Sequence, residues 1–397
     1  MGGTAFKILL AAAFTSAFSA PVGRGFLLLA LIFTIADHVK RREFPRLPAV
    51  TWLMLLFSVS AIVSTVVGID PAGSWPHLRK LIWYFAIPVY AVLVTSGSQL
   101  SAILKAFAVG AGVLAVRDLI VLPVKAHHLA MAGGSGSFYD ALVSLGSMTD
   151  AQRYMVGILI TLGVMVLCKK EGRRAPGWWM LLALQVVALL LTFKRGSLLC
   201  LMLVSVVFVA LKTNWKYLVV LVTLAVLTLL LPPVRARMSK TVAEFDVNKG
   251  GRATMWFSIA PAMHKEYPWL GIGWRAMTPQ VMKSAADRIG VPVEPNRNHL
   301  HSNPAQILVE TGWIGFALYM MWMSKGVADG VRFAWRAKAL ARRDEFSAAI
   351  LLLMLIALLL NGLVEFNFAD AEIVLIYGLS MGCIAAGNTM LEKQIQT

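Results

Sequence analysis

The chain carries a succession of apolar runs that are each about long enough to cross a bilayer, and this feature limits its possible folds most. A transmembrane helix needs about 20 consecutive apolar residues. Hydrophobic residues make up 58% of the 397 residues and charged residues only 14%, whereas a soluble domain has about 25% charged residues. A soluble fold could not shield this much apolar surface from water. We therefore predict an all-α integral membrane protein, because in lipid a helix satisfies its own backbone hydrogen bonds.

Twelve candidate spans of roughly 15–24 residues can be drawn along the chain. The turns at Gly23, Gly97 and Arg195 are so short that the pairs of spans beside them are the least secure. The predicted organisation is spans one to nine over 1–232, a large polar loop over 233–304, and spans ten to twelve over 305–397. The spans cover approximately 5–20, 23–40, 48–68, 80–97, 99–122, 153–168, 176–194, 196–212, 215–232, 305–325, 346–364 and 370–388.

Basic residues in four short loops predict the orientation of the chain in the membrane. These loops contain Lys40–Arg46, Lys169–Arg174, Lys212–Lys216 and Lys325–Arg343, and all four lie on one side of the twelve-span arrangement. Short cytoplasmic loops are enriched in Lys and Arg. We therefore predict that both termini are cytoplasmic. The long loop over 233–304 then lies outside, where we expect short helices, for example from Arg252 to His264.

The net charge of +17 comes from 37 basic and 20 acidic residues. It has two interpretations: the usual cytoplasmic surplus of a membrane protein, or a contribution to binding an anionic substrate or lipid headgroups. The basic residues are scattered through short loops, so we expect no nucleic acid partner. The three cysteines, Cys168, Cys200 and Cys383, lie in or beside apolar runs without metal-ligand spacing, which favours core packing.

Two arginines are predicted to lie at outer helix starts. Arg195, preceded by Lys194, opens the eighth span, and Arg252 follows the glycine pair Gly250-Gly251. Backbone N–H groups and the helix dipole favour anions at such a start, and a guanidinium suits bidentate contact with phosphate. The alternatives are a snorkelling arginine in a turn for Arg195 and an exposed loop arginine for Arg252.

A histidine motif, Asn298-His299-Leu300-His301-Ser302-Asn303-Pro304, precedes the tenth span. A neutral histidine can accept a proton near physiological pH. On a helix, residues two apart diverge, so one general base is favoured over a metal pair. No Asp-x-Asp pair is present to hold Mg²⁺ against a nucleotide sugar. A lone loop histidine can equally be without function, and only the combination with the two arginines indicates a site for an anionic leaving group beside a base.

The same residues carry a family resemblance. His301, Glu310, Gly312 and Gly315 match in register the pattern His-(Asn or Ser)-x₇-Glu-x-Gly-x-x-Gly of the O-antigen ligase and polymerase-like family of bacterial membrane glycosyltransferases. Lys194-Arg195-Gly196 resembles the Ser-Arg-Gly turn of that family, with Lys194 in place of the usual small residue. Arg252 to Trp256 and the turn over 268–273 resemble its conserved loop. The similarity covers roughly 185–320.

The resemblance implies a GT-C-like fold, no cofactor and no metal ion, and a site on the periplasmic face of the bacterial inner membrane. It implies an undecaprenyl-pyrophosphate-linked glycan as donor and lipid A–core as acceptor. In this interpretation Arg195 and Arg252, with Lys194, bind the pyrophosphate, and His301 is the general base. Supporting roles are expected for His299, Asn303, Trp256 and Glu310. No obvious carboxylate nucleophile lies beside His301 in the sequence, which favours direct, inverting displacement over a covalent intermediate.

Three other functions remain open at this point. An O-antigen polymerase or a protein O-oligosaccharyltransferase of the same family would use the same chemistry. Polymerases often have two large outer loops, whereas here one loop dominates, which favours the ligase. A transporter or lipid flippase would place ionisable residues near the middle of the bilayer. The sequence has few, with Arg117, Asp118 and Asp37 all near the ends of spans.

Overall fold

A computed structural model of the protein describes residues 2–42, 45, 47–132, 138–212, 244–294, 296–340 and 345–395. Within these ranges every regular element is helical. The helices before the long loop are α1 (Gly2–Ser16), α2 (Ala20–Arg41), α3 (Ala49–Val67), α4 (Pro71–Ser74), a 3₁₀ segment (Trp75–Phe85), α5 (Ala86–Leu93), α6 (Gly97–Met131), α7 (Phe138–Leu145), α8 (Met148–Lys170), α9 (Pro176–Leu191) and α10 (Arg195–Lys212).

The remaining helices belong to the long loop and the C-terminal part of the chain. In the loop they are α11 (Arg252–Thr254), a π-helical turn (Met255–Ile259), α12 (Ala260–Glu266) and α13 (Pro279–Ile289). The C-terminal helices are α14 (Asn303–Ala339), α15 (Glu345–Val364) and α16 (Ala371–Ile395). Short helices therefore occur where the sequence indicated them, beginning at Arg252.

Seven of the described helices are long and apolar enough to cross a membrane: α2, α3, α6, α8, α14, α15 and α16. Three further apolar helices, within α1, α9 and α10, are shorter. The predicted span over 80–97 consists of the end of the 3₁₀ segment and α5. The predicted span over 215–232 lies outside the described residues, so the total of twelve and the GT-C-like arrangement stay predictions.

The outward-facing side chains of the helices are apolar. On α3, Trp52, Leu56, Val59 and Val63 are all more than 40% exposed. Such a surface is costly in water and is suited to lipid. The all-α integral membrane class predicted from the sequence is consistent with this surface and with the seven long apolar helices.

Helix α16 lies at the centre of the bundle and is buried along most of its length. It packs against α5, α14 and α15. Small residues permit the closest of these contacts, since a Cβ atom at Gly382 would come within 2.6 Å of the Ile87 carbonyl oxygen. Just before α16, the segment 365–370 crosses one end of the bundle.

An aromatic cluster supports the segment 365–370 from below. Phe368 is fully buried and packs edge-on against Trp322 and Tyr319, with ring centroids 5.5 and 5.0 Å away. The Tyr84 hydroxyl donates a hydrogen bond to the Phe368 carbonyl. Edge-to-face contacts of this kind stabilise packing beyond the effect of the buried area alone. The cluster therefore fixes the position of Phe368 and of the segment around it.

A glycine-containing seam joins the long loop to α14. Gly312 has φ +62° and interrupts the helix. There the Ile272 and Gly273 N–H groups donate to the carbonyls of Val309 and Glu310, while Trp313 N–H donates to Pro268. A Cβ atom at Gly312 would lie 2.3 Å from the Trp269 backbone, and one at Gly271 would lie 2.4 Å from the Glu310 backbone. Glycine is required at both positions by its positive φ and by this close approach.

Candidate active site

The two predicted arginines meet at one carboxylate. Arg195 is the first residue of α10, and Arg252 is the first residue of α11, after Gly250 with φ +70° and the N-cap residue Gly251. An Arg195 guanidinium nitrogen lies 3.3 Å from Glu244 Oε1, and Arg252 Nε lies 3.2 Å from Glu244 Oε2. Both guanidinium groups can therefore reach a single anion between α10 and α11.

A second carboxylate joins Arg252 to His301. Glu365 follows α15 and its side chain is only 6% exposed. Its Oε1 lies 2.5 Å from an Arg252 guanidinium nitrogen, and its Oε2 lies 3.1 Å from His301 Nδ1. The sequence showed no obvious carboxylate nucleophile beside His301, and the structure brings Glu365 there from a segment 64 residues further along the chain.

Glu365 is held in its charged form. Burial opposes ionisation, but the hydrogen bond from His301 and the positive charge of Arg252 outweigh it and keep the pKa of Glu365 below its usual value. Each oxygen is occupied by one of these two partners. Both oxygens of this carboxylate are engaged, so it is not free to act as a nucleophile. This geometry favours direct displacement over a covalent intermediate.

His301 has a defined hydrogen-bond pattern. Its Nε2 lies 2.6 Å from Arg297 Nη1, which can only donate, and its Nδ1 faces Glu365. An arginine has no acceptor atom, so Nε2 accepts and Nδ1 carries the proton that is donated to Glu365. His301 also has φ +50°, an uncommon backbone conformation for a residue other than glycine.

This backbone conformation brings the two histidines together. The ring centroids of His299 and His301 are 4.0 Å apart. The expectation that they would diverge assumed a helix, whereas both residues precede α14, which begins at Asn303. Burial is the main cause that lowers the pKa of His299 to about 3, so this ring is neutral at physiological pH. Its Nδ1 lies 2.5 Å from Asn298 Oδ1.

His299, His301 and Glu365 could together hold a metal ion. One ligand atom from each residue lies within 4.8 Å of the others. Two imidazoles and one carboxylate form a ligand set known from zinc enzymes. However, Arg252 and Arg297 already occupy Glu365 and His301, and their positive charges would oppose a cation there. The arrangement is better suited to an anion beside a base.

Two of the predicted supporting residues hold this site in place. The Asn303 side-chain oxygen accepts from the Asn367 and Phe368 N–H groups at 2.9 and 3.1 Å, which fixes the segment that carries Glu365. The Trp256 indole N–H donates to the Leu300 carbonyl at 2.6 Å, directly before His301. Both side chains therefore position the histidine and its carboxylate without adding a reactive group.

The other two predicted residues have different surroundings. Glu310 is buried in α14 and accepts a hydrogen bond from Gln306 Nε2 at 2.6 Å. Its carbonyl accepts from Ser64 and Gly273, so it belongs to the seam between loop and helix, roughly 10 Å along the helix axis from Asn303. Lys194 lies half-buried in the turn before Arg195, and its part in anion binding stays a prediction.

Four charged residues of the site were not among the candidates drawn from the sequence: Glu244, Arg275, Arg297 and Glu365. Arg275 lies over the ring of Phe366, with its guanidinium carbon 5.3 Å from the centroid. Arg297 also pairs with Glu294. Arg297 directly precedes the histidine motif, and this position was a weak indication that it belongs to the site. The sequence around Glu365 gave no such indication, because its partners come from distant segments.

The fold and the site together define a class of protein: a multi-pass membrane protein with cationic side chains beside a histidine–carboxylate pair at one end of its helical bundle. The family model for O-antigen ligase matches residues 180–320, roughly a third of the chain. Over these residues the chain is similar to the O-antigen ligase family. The matched segment contains Arg195, Arg252 and His301, and it ends before Glu365. A comparison with curated proteins finds no match.

Proposed function

We propose that the protein is an O-antigen ligase, which transfers O-antigen polysaccharide from undecaprenyl pyrophosphate to lipid A–core. The family suggests ligase-type or polymerase-type activity and, in general, polysaccharide and lipid A–core partners. The observation that carries the proposal is one continuous network in which Glu244 bridges Arg195 and Arg252, and Glu365 bridges Arg252 and His301.

The pyrophosphate of the donor takes the place that Glu244 occupies between the two arginines. A carboxylate that contacts both guanidinium groups marks a position that both can share. A phosphate group offers more acceptor oxygens in a similar geometry and carries more negative charge. Because negative charge grows on the leaving group as the glycosidic bond breaks, fixed positive charge at this place lowers the barrier.

His301 removes the proton from the acceptor hydroxyl. The hydroxyl proton moves to Nε2, the oxygen forms a bond to the anomeric carbon, and the bond from that carbon to the pyrophosphate oxygen breaks. The bonding electron pair leaves with the pyrophosphate, and the anomeric configuration is inverted. Glu365 accepts a hydrogen bond from Nδ1–H throughout, without taking the proton, and it stabilises the positive imidazolium that forms.

Arg297 must withdraw from His301 before this step. Its Nη1 occupies Nε2, the atom that accepts the proton. Arg297 retains Glu294 as a partner when it leaves. The acceptor hydroxyl therefore replaces Arg297 at Nε2, and base catalysis begins only after the acceptor is bound.

The proposed location is the bacterial inner membrane, with the site on the periplasmic side and both termini in the cytoplasm. Helix α14 supports this orientation, because it begins at the site with Asn303 and ends with Arg336 and Lys338. Helix α8 likewise ends with Lys169 and Lys170. Short basic segments remain on the cytoplasmic side, which leaves the site on the opposite face.

The test is complementation of a ligase-deficient bacterium that supplies the matching O-antigen and core. Lipopolysaccharide is separated on gels for the wild type, Arg195→Ala, Arg252→Ala and His301→Ala, with membrane levels of each protein measured. We expect the wild type to restore O-antigen-capped bands and the three variants to lose them. Arg173→Ala, an exposed arginine outside the site, is the matched control and should behave as the wild type.

Each alternative outcome contradicts a different part of the proposal. If the wild type leaves O-antigen on the carrier with unchanged chain length, the ligase proposal fails. If it lengthens the glycan instead, the protein is a polymerase of the same family. If it caps lipid A–core but all three variants also do so, the ligase assignment stands and the proposed site does not.

A further inference from the structure

A groove outside the site opens between α2 and the 3₁₀ segment that leads into α5. It has a volume of about 770 Å³, within the range of roughly 300–1,000 Å³ that is usual for ligand pockets. Its walls are apolar, formed by side chains such as Leu27, Leu31 and Val89. Leu28 and Ile82 at its edge are 49% and 57% exposed on the outer surface of the bundle. The groove is therefore open to the hydrocarbon region of the bilayer.

Three basic side chains line the same groove: Arg24, Arg79 and Lys80. Arg24 lies in the first two turns of α2, with its guanidinium carbon 5.0 Å from the centroid of the Trp83 ring. No salt bridge joins any of the three to an acidic residue among the residues that the structure describes. Helix α2 ends with Lys40 and Arg41, so this cluster lies at the opposite end of the helix.

The basic end of the groove adjoins the candidate active site. The positive charge of Arg275 acts on Lys80 and on His77 in the 3₁₀ segment. Arg275 in turn lies over Phe366, the residue after Glu365. Contacts therefore link His301 to the Arg195–Arg252 pair through Glu365. Phe366, the next residue, links the same segment through Arg275 to the basic end of the groove.

We propose that this groove binds the lipid part of the acceptor, a phosphorylated lipid with several acyl chains. The apolar walls take acyl chains, and Arg24, Arg79 and Lys80 bind the phosphate groups at the membrane surface. The inference rests on the proposed function for the identity of the acceptor. The arrangement gives the acceptor an anchor of its own, separate from the place of the donor pyrophosphate between Arg195 and Arg252.

Charge and position favour the acceptor over the donor as occupant. The donor pyrophosphate has its own place between Arg195 and Arg252, where a carboxylate already bridges the two arginines. A two-substrate displacement needs the acceptor to be held apart from the donor, and the groove offers a separate cluster of basic side chains. Its basic residues have no acidic salt-bridge partner in the described chain, so phosphate groups can supply the missing negative charge.

Binding is tested without turnover, by native mass spectrometry of the full-length protein in detergent with lipid A carrying two phosphates. The charge variant is Arg24→Gln/Arg79→Gln/Lys80→Gln. Its matched control, Lys40→Gln/Arg174→Gln/Lys338→Gln, removes the same charge at the opposite end of the bundle. We expect binding of lipid A to weaken about tenfold or more in the charge variant and to change less than twofold in the control. Lipid A without phosphates should bind both proteins equally weakly.

A second variant tests the apolar part of the groove. Gly25 lines the groove, and a Cβ atom there would meet nothing within 4 Å. Gly25→Phe should therefore fill the space without disturbing packing and should weaken lipid A binding. Gly177→Phe is the matched control, since a Cβ atom there also meets nothing within 4 Å and the residue lies outside the groove. It should bind as the wild type.

Three results would overturn the inference. One is phosphatidylglycerol binding as tightly as lipid A, which would make the groove a site for general membrane lipids. The second is undecaprenyl phosphate displacing lipid A from the groove, which would make it the donor site. The third is unchanged lipid A binding in both groove variants. If lipid A binds as expected but the wild type transfers no glycan, the groove stands and the proposed ligase function fails.

Discussion

The candidate active site and the groove both contain several basic side chains at the same end of the bundle, but these side chains have different partners. In the site, Arg195 and Arg252 are tied to Glu244 and Glu365. In the groove, Arg24, Arg79 and Lys80 surround apolar walls. The site arginines are held in place by their carboxylate partners, whereas the groove cations have no acidic salt-bridge partner among the described residues to hold them.

This difference suggests two kinds of recognition. The site must place a leaving group and a base within ångströms of a reacting carbon, and a geometric error there is costly. The groove only has to retain a lipid that is already confined to the membrane. We therefore expect substitutions in the site to change turnover, and substitutions in the groove to change the apparent affinity for the acceptor.

The largest effect is expected from Glu365→Ala. This change leaves Arg252 without one partner and His301 Nδ1 without its acceptor. General base catalysis contributes typically 10²–10⁴-fold, so kcat should fall by about 100-fold or more with little change in acceptor KM. The measurement is glycan transfer by purified protein in detergent. Glu365→Gln retains the shape but can accept from only one of the two partners, so it should also lose most activity.

A folded Glu365→Ala protein with kcat within threefold of the wild type would remove Glu365 from the mechanism. Thermal unfolding of each variant separates that result from simple misfolding. It would also remove the contrast between site and groove, because the site would then depend on its arginines alone.

The next effect is expected from Asn303→Ala. The Asn303 side chain makes three hydrogen bonds to Asn367 and Phe368, two of them from backbone N–H groups. A buried donor without a partner costs about 1–3 kcal/mol, so unfolding should shift by several degrees and kcat should fall as Glu365 loses its position. Asn303→Asp retains the two acceptor contacts and should recover part of both. Equal loss in Asn303→Asp and Asn303→Ala would contradict this role.

A smaller effect of opposite sign is expected from Glu244→Gln. The variant weakens the carboxylate that competes with the donor for Arg195 and Arg252. The donor KM should fall about threefold to tenfold while kcat changes little. Asp246→Asn, an exposed neighbour that bonds to Lys249, is the control and should leave the donor KM unchanged. A rise in donor KM would show that Glu244 organises the arginines rather than occupying the place of the substrate.

The smallest effect concerns Asp370, which lies between the two regions. Burial raises its pKa to about 6, with Glu372 acting in the same direction and Arg275 and Lys80 opposing. An acid whose pKa is higher in the folded state than its ordinary value of about 3.9 stabilises the fold below that value. The stabilisation is lost as the pH rises through about 6. Asp370→Asn should therefore flatten the fall in melting temperature between pH 4.5 and pH 7.5, roughly by a few degrees.

The same pH-dependent change in Asp370→Asn as in the wild type would assign the effect to another group. In the wild type, protonation of Asp370 at low pH also removes a negative charge near Lys80, so a change from pH 7.5 to pH 5 should favour lipid A binding more in the wild type than in Asp370→Asn. This coupling should be absent from the variant.

The sequence predicted those features whose residues are consecutive or nearly consecutive in the chain. Apolar runs gave the membrane class, and Arg195, Arg252 and His301 each stand in a short motif whose residues are consecutive. Gly312, part of the same family pattern, owes its place to a positive φ and to a backbone contact with Trp269. A local signal was present for each of these residues.

Other features depend on contacts between distant segments, and they could not be predicted. Glu365 joins Arg252 and His301 across 113 and 64 residues, and nothing around it in the sequence distinguishes it from an ordinary helix end. The contact between His299 and His301 depends on φ +50° at His301. The prediction that the motif is helical excludes this backbone conformation. The 3₁₀ segment over 75–85 likewise packs against α3 and the distant α16, and its groove forms only where the segment faces α2.

The seam at Gly312 has a consequence for substrate entry and product release. Backbone hydrogen bonds join the turn over 268–273 to an interrupted turn of α14, so this part of the long loop is anchored to a long apolar helix and is not built as a hinged cover. Long lipid-linked molecules would therefore arrive and depart sideways, within the plane of the bilayer. Their residence time would then be governed by diffusion between helices and not by opening of a cap.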